Sequence, residues 1–138
     1  MENGNEFLDK DSFLAMEPAP MEAVSIPECK GMKIFVCGLS ATAKNAYQAS
    51  LVEIQGNTRK IKLEHSTAKL LVQTLVTKDR QRIFTDTDVL KVGTLRADVL
   101  ERLAKIANRL SGMDEEENKQ LLKNSEAAQS GDSPTVSL

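Results

Sequence analysis

Tryptophan is missing from this 138-residue chain, and there are only one tyrosine and four phenylalanines. Aliphatic side chains must therefore fill the core. The single histidine, His65, has no companion ligand at metal spacing. Two cysteines, Cys29 and Cys37, follow no metal-ligand pattern either. In the hairpin proposed below they sit at opposite ends, roughly 20 Å or more apart at strand rise, too far for a disulfide. Free thiols suit a reducing compartment. No apolar run approaches the ~18 residues of a membrane helix. The start, "MENGNEFLDKDS", is acidic and lacks the basic-then-apolar order of a signal peptide. Gly38, Gly56, Gly93 and Gly112 stand alone as stops, so no glycine-rich loop cradles phosphate. Cys37 has no evident base, and Ser66 and Thr67 read as capping alternatives rather than nucleophiles. No catalytic residue, cofactor or metal is expected, and an enzyme is the least favoured class.

Apolar residues make up 41% of the chain, which suits one globular domain with a modest core. Net charge is only −2, but it is unevenly placed. Residues 1–30 carry seven acids and two bases, residues 31–113 seven acids and fourteen bases, and residues 114–138 six acids and two bases. A +7 middle thus lies between ends of −5 and −4. Such a middle could attract an acidic partner or a nucleic-acid backbone. The bases are scattered and lack interleaved aromatics, so a solvated surface is preferred.

Hydrophobic periodicity predicts an α+β fold: a mostly helical small domain with an N-terminal β-hairpin packed on helices. Residues 1–8 read as a flexible end. "DKDSFLAM" (9–16) suits a short helix capped by Asp9 or Asp11, stopped by the prolines of "EPAP". Residues 22–37 read as a hairpin. Pairing Val24 with Ile34 and Ile26 with Met32 gathers Val24, Ile26, Met32, Ile34 and Val36 on one face, and a slip of one would split them. Glu28, Cys29 and Lys30 then form the loop, with Gly31 free for positive φ. A two-stranded ribbon is barely stable alone, so this face must lie on helices or another chain.

Helices follow at about 40–55, 63–76, 86–92 and 94–111. The first is capped by Ser40, carries Ala43, Tyr47, Leu51 and Ile54 at helical spacing, and stops at Gly56. "NTRKIK" (57–62) reads as a basic connector. The next has Ala68, Leu71 and Leu75 as its stripe, widened by Leu63, Val72 and Val76. The last long one carries Leu95, Val99, Leu103, Ile106 and Leu110, with Thr94 as cap and Gly112 as C′ residue. Asp98–Arg102 and Glu101–Lys105 are expected i,i+4 pairs along it. A short acidic helix (113–123) and a disordered Ser-rich tail (124–138) complete the reading.

"RIFTDTDVLKVG" (82–93) places two aspartates beside two threonines and so invites a cation-site reading. A calcium loop starting at Asp86 would need glycine sixth and glutamate twelfth, where Lys91 and Ala97 stand. A capping box explains the same residues: Thr85 at the N-cap, Asp88 at N3, and Phe84 with Val89 as a hydrophobic staple. Both aspartates also lie at the positive end of the helix dipole.

Taken in order, "GLSATAKNAYQASLVE", "TRKIKLEHSTAKLLVQTLV" and "RIFTDTDVLKVGTLRADVLERLAKIANRLSGMDEEE" resemble the tail assembly chaperones of long-tailed bacteriophages. The matching segments are Gly38 to Val52, Arg59 to Leu63, Ile83 to Val89 and Arg109 to Gly112. "FLDKDSFLAM" and "VSIPECKGMKIFVCGL" resemble the family's start, so the likeness runs over residues 7–123. The chain departs from the family pattern at "KDRQ" (78–81) and at Cys29.

The resemblance implies a partner, the tape measure protein, a long and largely helical chain that such chaperones keep soluble until tail-tube subunits polymerise around it. It also implies self-association into a homo-oligomer, a longer frameshifted form, a place in the host cell cytoplasm and absence from the mature virion. Neither membrane nor nucleic acid is expected as a partner. The mechanism expected is passive: many small subunits cover apolar stripes of the client, each binding weakly, and avidity multiplies the effect. The residues that could offer this surface are Val24, Ile26, Ile34 and Val36 on the hairpin and Leu100 and Ala107 on the outer flanks of the last long helix. Rival readings are a nucleic-acid-binding protein using the basic middle, or a structural tail component.

Overall fold

The computed structural model describes residues 6–113. The acidic helix and Ser-rich tail expected beyond residue 113 lie outside the described residues, as do the first five residues. Helix α1 (Lys10–Leu14) is followed by β1 (Met21–Ile26) and β2 (Met32–Cys37), then α2 (Ala41–Ser50). Next come β3 (Val52–Gln55) and β4 (Thr58–Ile61), α3 (Ser66–Thr74) and β5 (Leu75–Val76). A 3-10 turn (Asp86–Asp88) leads into α4 (Val89–Val92), and α5 (Ala97–Leu110) closes the domain.

The first hairpin has the expected register, with Val24 opposite Ile34 and Ile26 opposite Met32. Its loop is longer than Glu28–Lys30: Pro27–Cys29 form a 3-10 turn, and Lys30 and Gly31 both take positive φ. The ribbon gains a third antiparallel strand, β5, which sets Val36 opposite Leu75 and Phe35 opposite Val76. Residues 77–81 then turn back, with the Thr77 amide donating to the Gln81 carbonyl at 2.9 Å.

The expected helix over 40–55 ends at Ser50. Ser40 caps it, its Oγ accepting from the Ala43 amide at 3.1 Å, and Tyr47 and Leu51 are buried as the spacing predicts. Val52 and Ile54, however, are β-branched and alternate, and Gly56 with Asn57 makes a two-residue turn. These residues form the β3–β4 hairpin, with Gln55 opposite Thr58 and Gly56 at φ +63°. "NTRKIK" is therefore mostly strand, and Ile54, placed on the inner stripe by helical spacing, is 71% exposed.

Helix α3 is the centre of the molecule. Ala68, Leu70, Leu71, Val72 and Thr74 are all buried, so it is enclosed nearly all round. The buried Thr74 hydroxyl donates to the Leu70 carbonyl at 3.0 Å, which satisfies it. The helix begins at Ser66, not at residue 63, after His65 at φ +67°. Leu63 is thereby left half exposed. At the other end Leu75 and Val76 pass into the sheet and stay buried.

Helix α5 packs against α3 and β2. Its buried line is Leu100, Leu103 and Ala107, flanked by Val99, Ala104, Ile106 and Leu110. At about 100° per residue the apolar arc spans roughly half the helix, and the line of Leu95, Val99, Leu103, Ile106 and Leu110 marks only one flank of it. Thr94 does not cap this helix: its hydroxyl donates to the Lys91 carbonyl at 2.7 Å, and α5 starts at Ala97. The expected Asp98–Arg102 pair is not made. Arg102 reaches Glu28 of the hairpin at 2.7 Å, and Asp98 takes Arg96 at 2.7 Å. Gly112 ends the helix at φ +70° as expected. The Met113 amide donates back to the Asn108 carbonyl at 2.8 Å, and its side chain tucks into the core.

At the opening of α4 the Thr85 amide donates to Asp88 Oδ2 at 2.9 Å, one arm of the predicted capping box. Phe84 and Val89 both pack on the core as a staple requires. Asp86 turns to Arg82 at 2.9 Å, and no three His, Cys, Asp or Glu side chains gather as a metal site among the described residues.

Candidate partner-binding surface

The six residues proposed from sequence lie inside the fold. Val36 and Ala107 are fully buried, Ile26 and Leu100 nearly so, and Val24 and Ile34 are partly buried against the same cluster. The hairpin face lies on the helices of its own chain, and Leu100 and Ala107 lie on the inward line of α5 rather than on its outer flanks. In this conformation Ile26, Val36 and Ala107 offer a partner little surface, while Val24 and Ile34 keep some exposed area. Leu100 also lines an open groove.

This groove, of about 220 Å3, lies where the start of α3 meets the turn from α4 into α5. Leu63 and Leu95 stand on its walls at 50% and 56% exposure, and Ala68, Ala97 and Leu100 supply further apolar lining. His65, Ser66, Thr67 and Glu101 add polar groups. Each wall leucine sits just before a helix that starts later than the sequence pattern predicts. Read as helical residues, Leu63 and Leu95 belonged to inner stripes; left outside the helices, they face solvent. A leucine-sized side chain entering such a groove gains about 1.5–3 kcal/mol from burial.

Charge around the fold is partly neutralised within the chain. Of the fourteen bases in residues 31–113, Lys62, Arg82, Arg96, Arg102 and Arg109 pair with carboxylates of the same chain. Two of these pairs strap the first hairpin to α5: Arg109 on Glu22 at 2.9 Å and Arg102 on Glu28 at 2.7 Å. The Arg102 guanidinium holds the Glu28 carboxyl below the usual glutamate range. Burial pushes the Cys37 thiol up, which disfavours the thiolate a nucleophile needs. Tyr47 is likewise pushed up by burial.

Gly38 joins β2 to α2 and has the least room of the described glycines. Its amide donates to the Pro20 carbonyl at 2.9 Å, and the Leu39 amide donates to Ser111 Oγ at 2.9 Å. A Cβ here would strike the Leu110 carbonyl oxygen and lie 2.7 Å from its carbon and 2.9 Å from Ala19 Cβ. The "GL" step of the sequence is thus where the hairpin, α2 and the end of α5 come together.

A family model described as "Phage tail assembly chaperone" matches residues 15–121, which includes the hairpin, the "GL" junction and all of α2 to α5. The chain belongs to the phage tail assembly chaperone family. Among solved structures it resembles the tail assembly chaperone of bacteriophage HK97, with a TM-score of 0.53 and 24% identity. That likeness covers 70% of this chaperone and 92% of the HK97 chain, and it speaks for a shared fold. No curated protein matches the sequence.

Proposed function

We propose that this chaperone acts without catalysis, by holding the tape measure protein soluble during tail assembly through many weak apolar contacts. The observation that carries this reading is the groove of Leu63, Leu95 and Leu100 on a member of a tail assembly chaperone family. A long helical client offers apolar side chains at helical spacing, and each groove has room for one of them. Copies of the chaperone lined along the client, touching one another, supply avidity that one groove lacks. Release needs no nucleotide hydrolysis if tail-tube subunits, including contacts made by a longer frameshifted form, compete for the same stripes. The work takes place in the host cytoplasm, and the chaperone leaves before the virion is complete.

Co-expression with the tape measure protein of the same phage tests this reading. The client is expected in the soluble fraction only when the chaperone is present, and bound to it. A client equally soluble and unbound either way overturns the proposal.

A further inference from the structure

We propose that the N-terminal arm, residues 6–17, docks on the β3–β4 hairpin of a second copy of this chain. The inference rests on the self-association proposed above and assigns the two surfaces that make it. The arm contains α1, whose Asp9 caps it by accepting from the Ser12 amide at 2.8 Å. A five-residue helix is far shorter than the ~12–15 residues an isolated helix needs in water. Yet no residue of α1 is buried on its own domain. Phe7, Leu8, Phe13, Leu14 and Met16 are all between 54% and 80% exposed. Such a concentration of large apolar side chains on a short arm marks an unfilled contact.

The second surface offers unpaired strand edges, an exposed apolar side chain and the opposite charge. Strands β3 and β4 form a two-stranded sheet of their own, so both outer edges are unpaired among the described residues. Ile54 stands on it 71% exposed. Residues 52–62 carry Arg59, Lys60 and Lys62 against Glu53, which lies opposite Lys60 and pairs with Lys62 at 3.2 Å, a balance of +2. Residues 6–17 carry Glu6, Asp9, Asp11 and Glu17 against Lys10, a balance of −3. Arg59 and Lys60 form no ion pair with the described residues. Complementary potentials of this kind fix register and speed encounter. Every copy carries one arm and one hairpin, so reciprocal docking closes a two-fold pair and successive docking builds an open row. The arm leaves the fold at Ala19 and Pro20, whose carbonyls accept from Arg80 Nη1 and the Gly38 amide, both at 2.9 Å. Residues 6–14, with all of α1, precede the segment matched by the family model.

Sedimentation equilibrium of the full chain at low and high salt provides the test. Phe13→Ser with Leu14→Ser, and separately Arg59→Glu with Lys60→Glu, are each expected to weaken association at least tenfold with little change in melting temperature. Asp11→Lys with Glu17→Lys is expected to weaken it alone, and to recover it when mixed with the Arg59→Glu, Lys60→Glu chain. Association that ignores these changes, or a mixed pair that stays apart, overturns the inference and leaves self-association standing. So does a lower melting temperature without weaker association, since the arm would then be docked on its own chain. A wild-type chain that remains monomeric at every concentration overturns both.

Discussion

Gly38→Ala adds one methyl group where the backbone of Leu110 already stands. Two of the three atoms it meets are the backbone carbon and oxygen of Leu110, which cannot swing aside as a side chain can. The last turn of α5 must shift. Overpacking of this sort costs about 1–3 kcal/mol. The shift also strains the part-buried hydrogen bond from the Leu39 amide to Ser111 Oγ, which contributes about 1 kcal/mol. The total is about 2–4 kcal/mol. In urea unfolding, with a slope of about 2 kcal/mol per molar for a small domain, the midpoint should fall by about 1–2 M. Gly56→Ala is the control. There a methyl group meets nothing within 4 Å, and only the positive φ of +63° is costly, by about 1–2 kcal/mol. A Gly38→Ala chain more stable than Gly56→Ala would refute the steric reading of the junction.

Leu71, with no exposed surface at the centre of α3, should lose about 3–5 kcal/mol on truncation to alanine; a loss below about 1.5 kcal/mol in the same urea assay would mean α3 is not the centre of the core. The Arg102–Glu28 strap predicts a pH dependence. Because the folded-state value of Glu28 is depressed, its contribution is present above the ordinary glutamate range and is lost as pH falls through the lowered value. The difference in urea midpoint between wild type and Arg102→Gln should therefore be largest near neutrality and shrink in acid. A difference that stays constant or grows in acid contradicts the assignment.

The first hairpin was legible because five apolar residues at period two allow one register that keeps them together, and Ser40, Asp9 and Gly112 announced their helix ends through capping chemistry. The β3–β4 hairpin was hidden by an accident of spacing. Ala43, Tyr47 and Leu51 continue to Ile54 at helical intervals, so Gly56 read as a stop when, with Asn57, it is a hairpin turn. The stronger signals were Val52 and Ile54, β-branched and alternating. The arc of α5 is wide enough to hold two stripes, and only packing against α3 and β2 decides that Leu100, Leu103 and Ala107 form the inner one. Leu100 and Ala107, proposed for a partner, are for that reason on the inward line, while Leu63 and Leu95, read as core, are half exposed. Periodicity locates apolar faces; it does not say which of them the chain covers itself.

Leu63→Asp with Leu95→Asp is the variant that speaks most directly to how this chaperone works. Both side chains are half exposed, so the domain should fold with nearly unchanged stability. Captured on a column beside wild type, the variant is predicted to retain little of the co-expressed tape measure protein and to leave it in the pellet. Equal recovery of soluble client by the folded variant and by wild type would contradict the account.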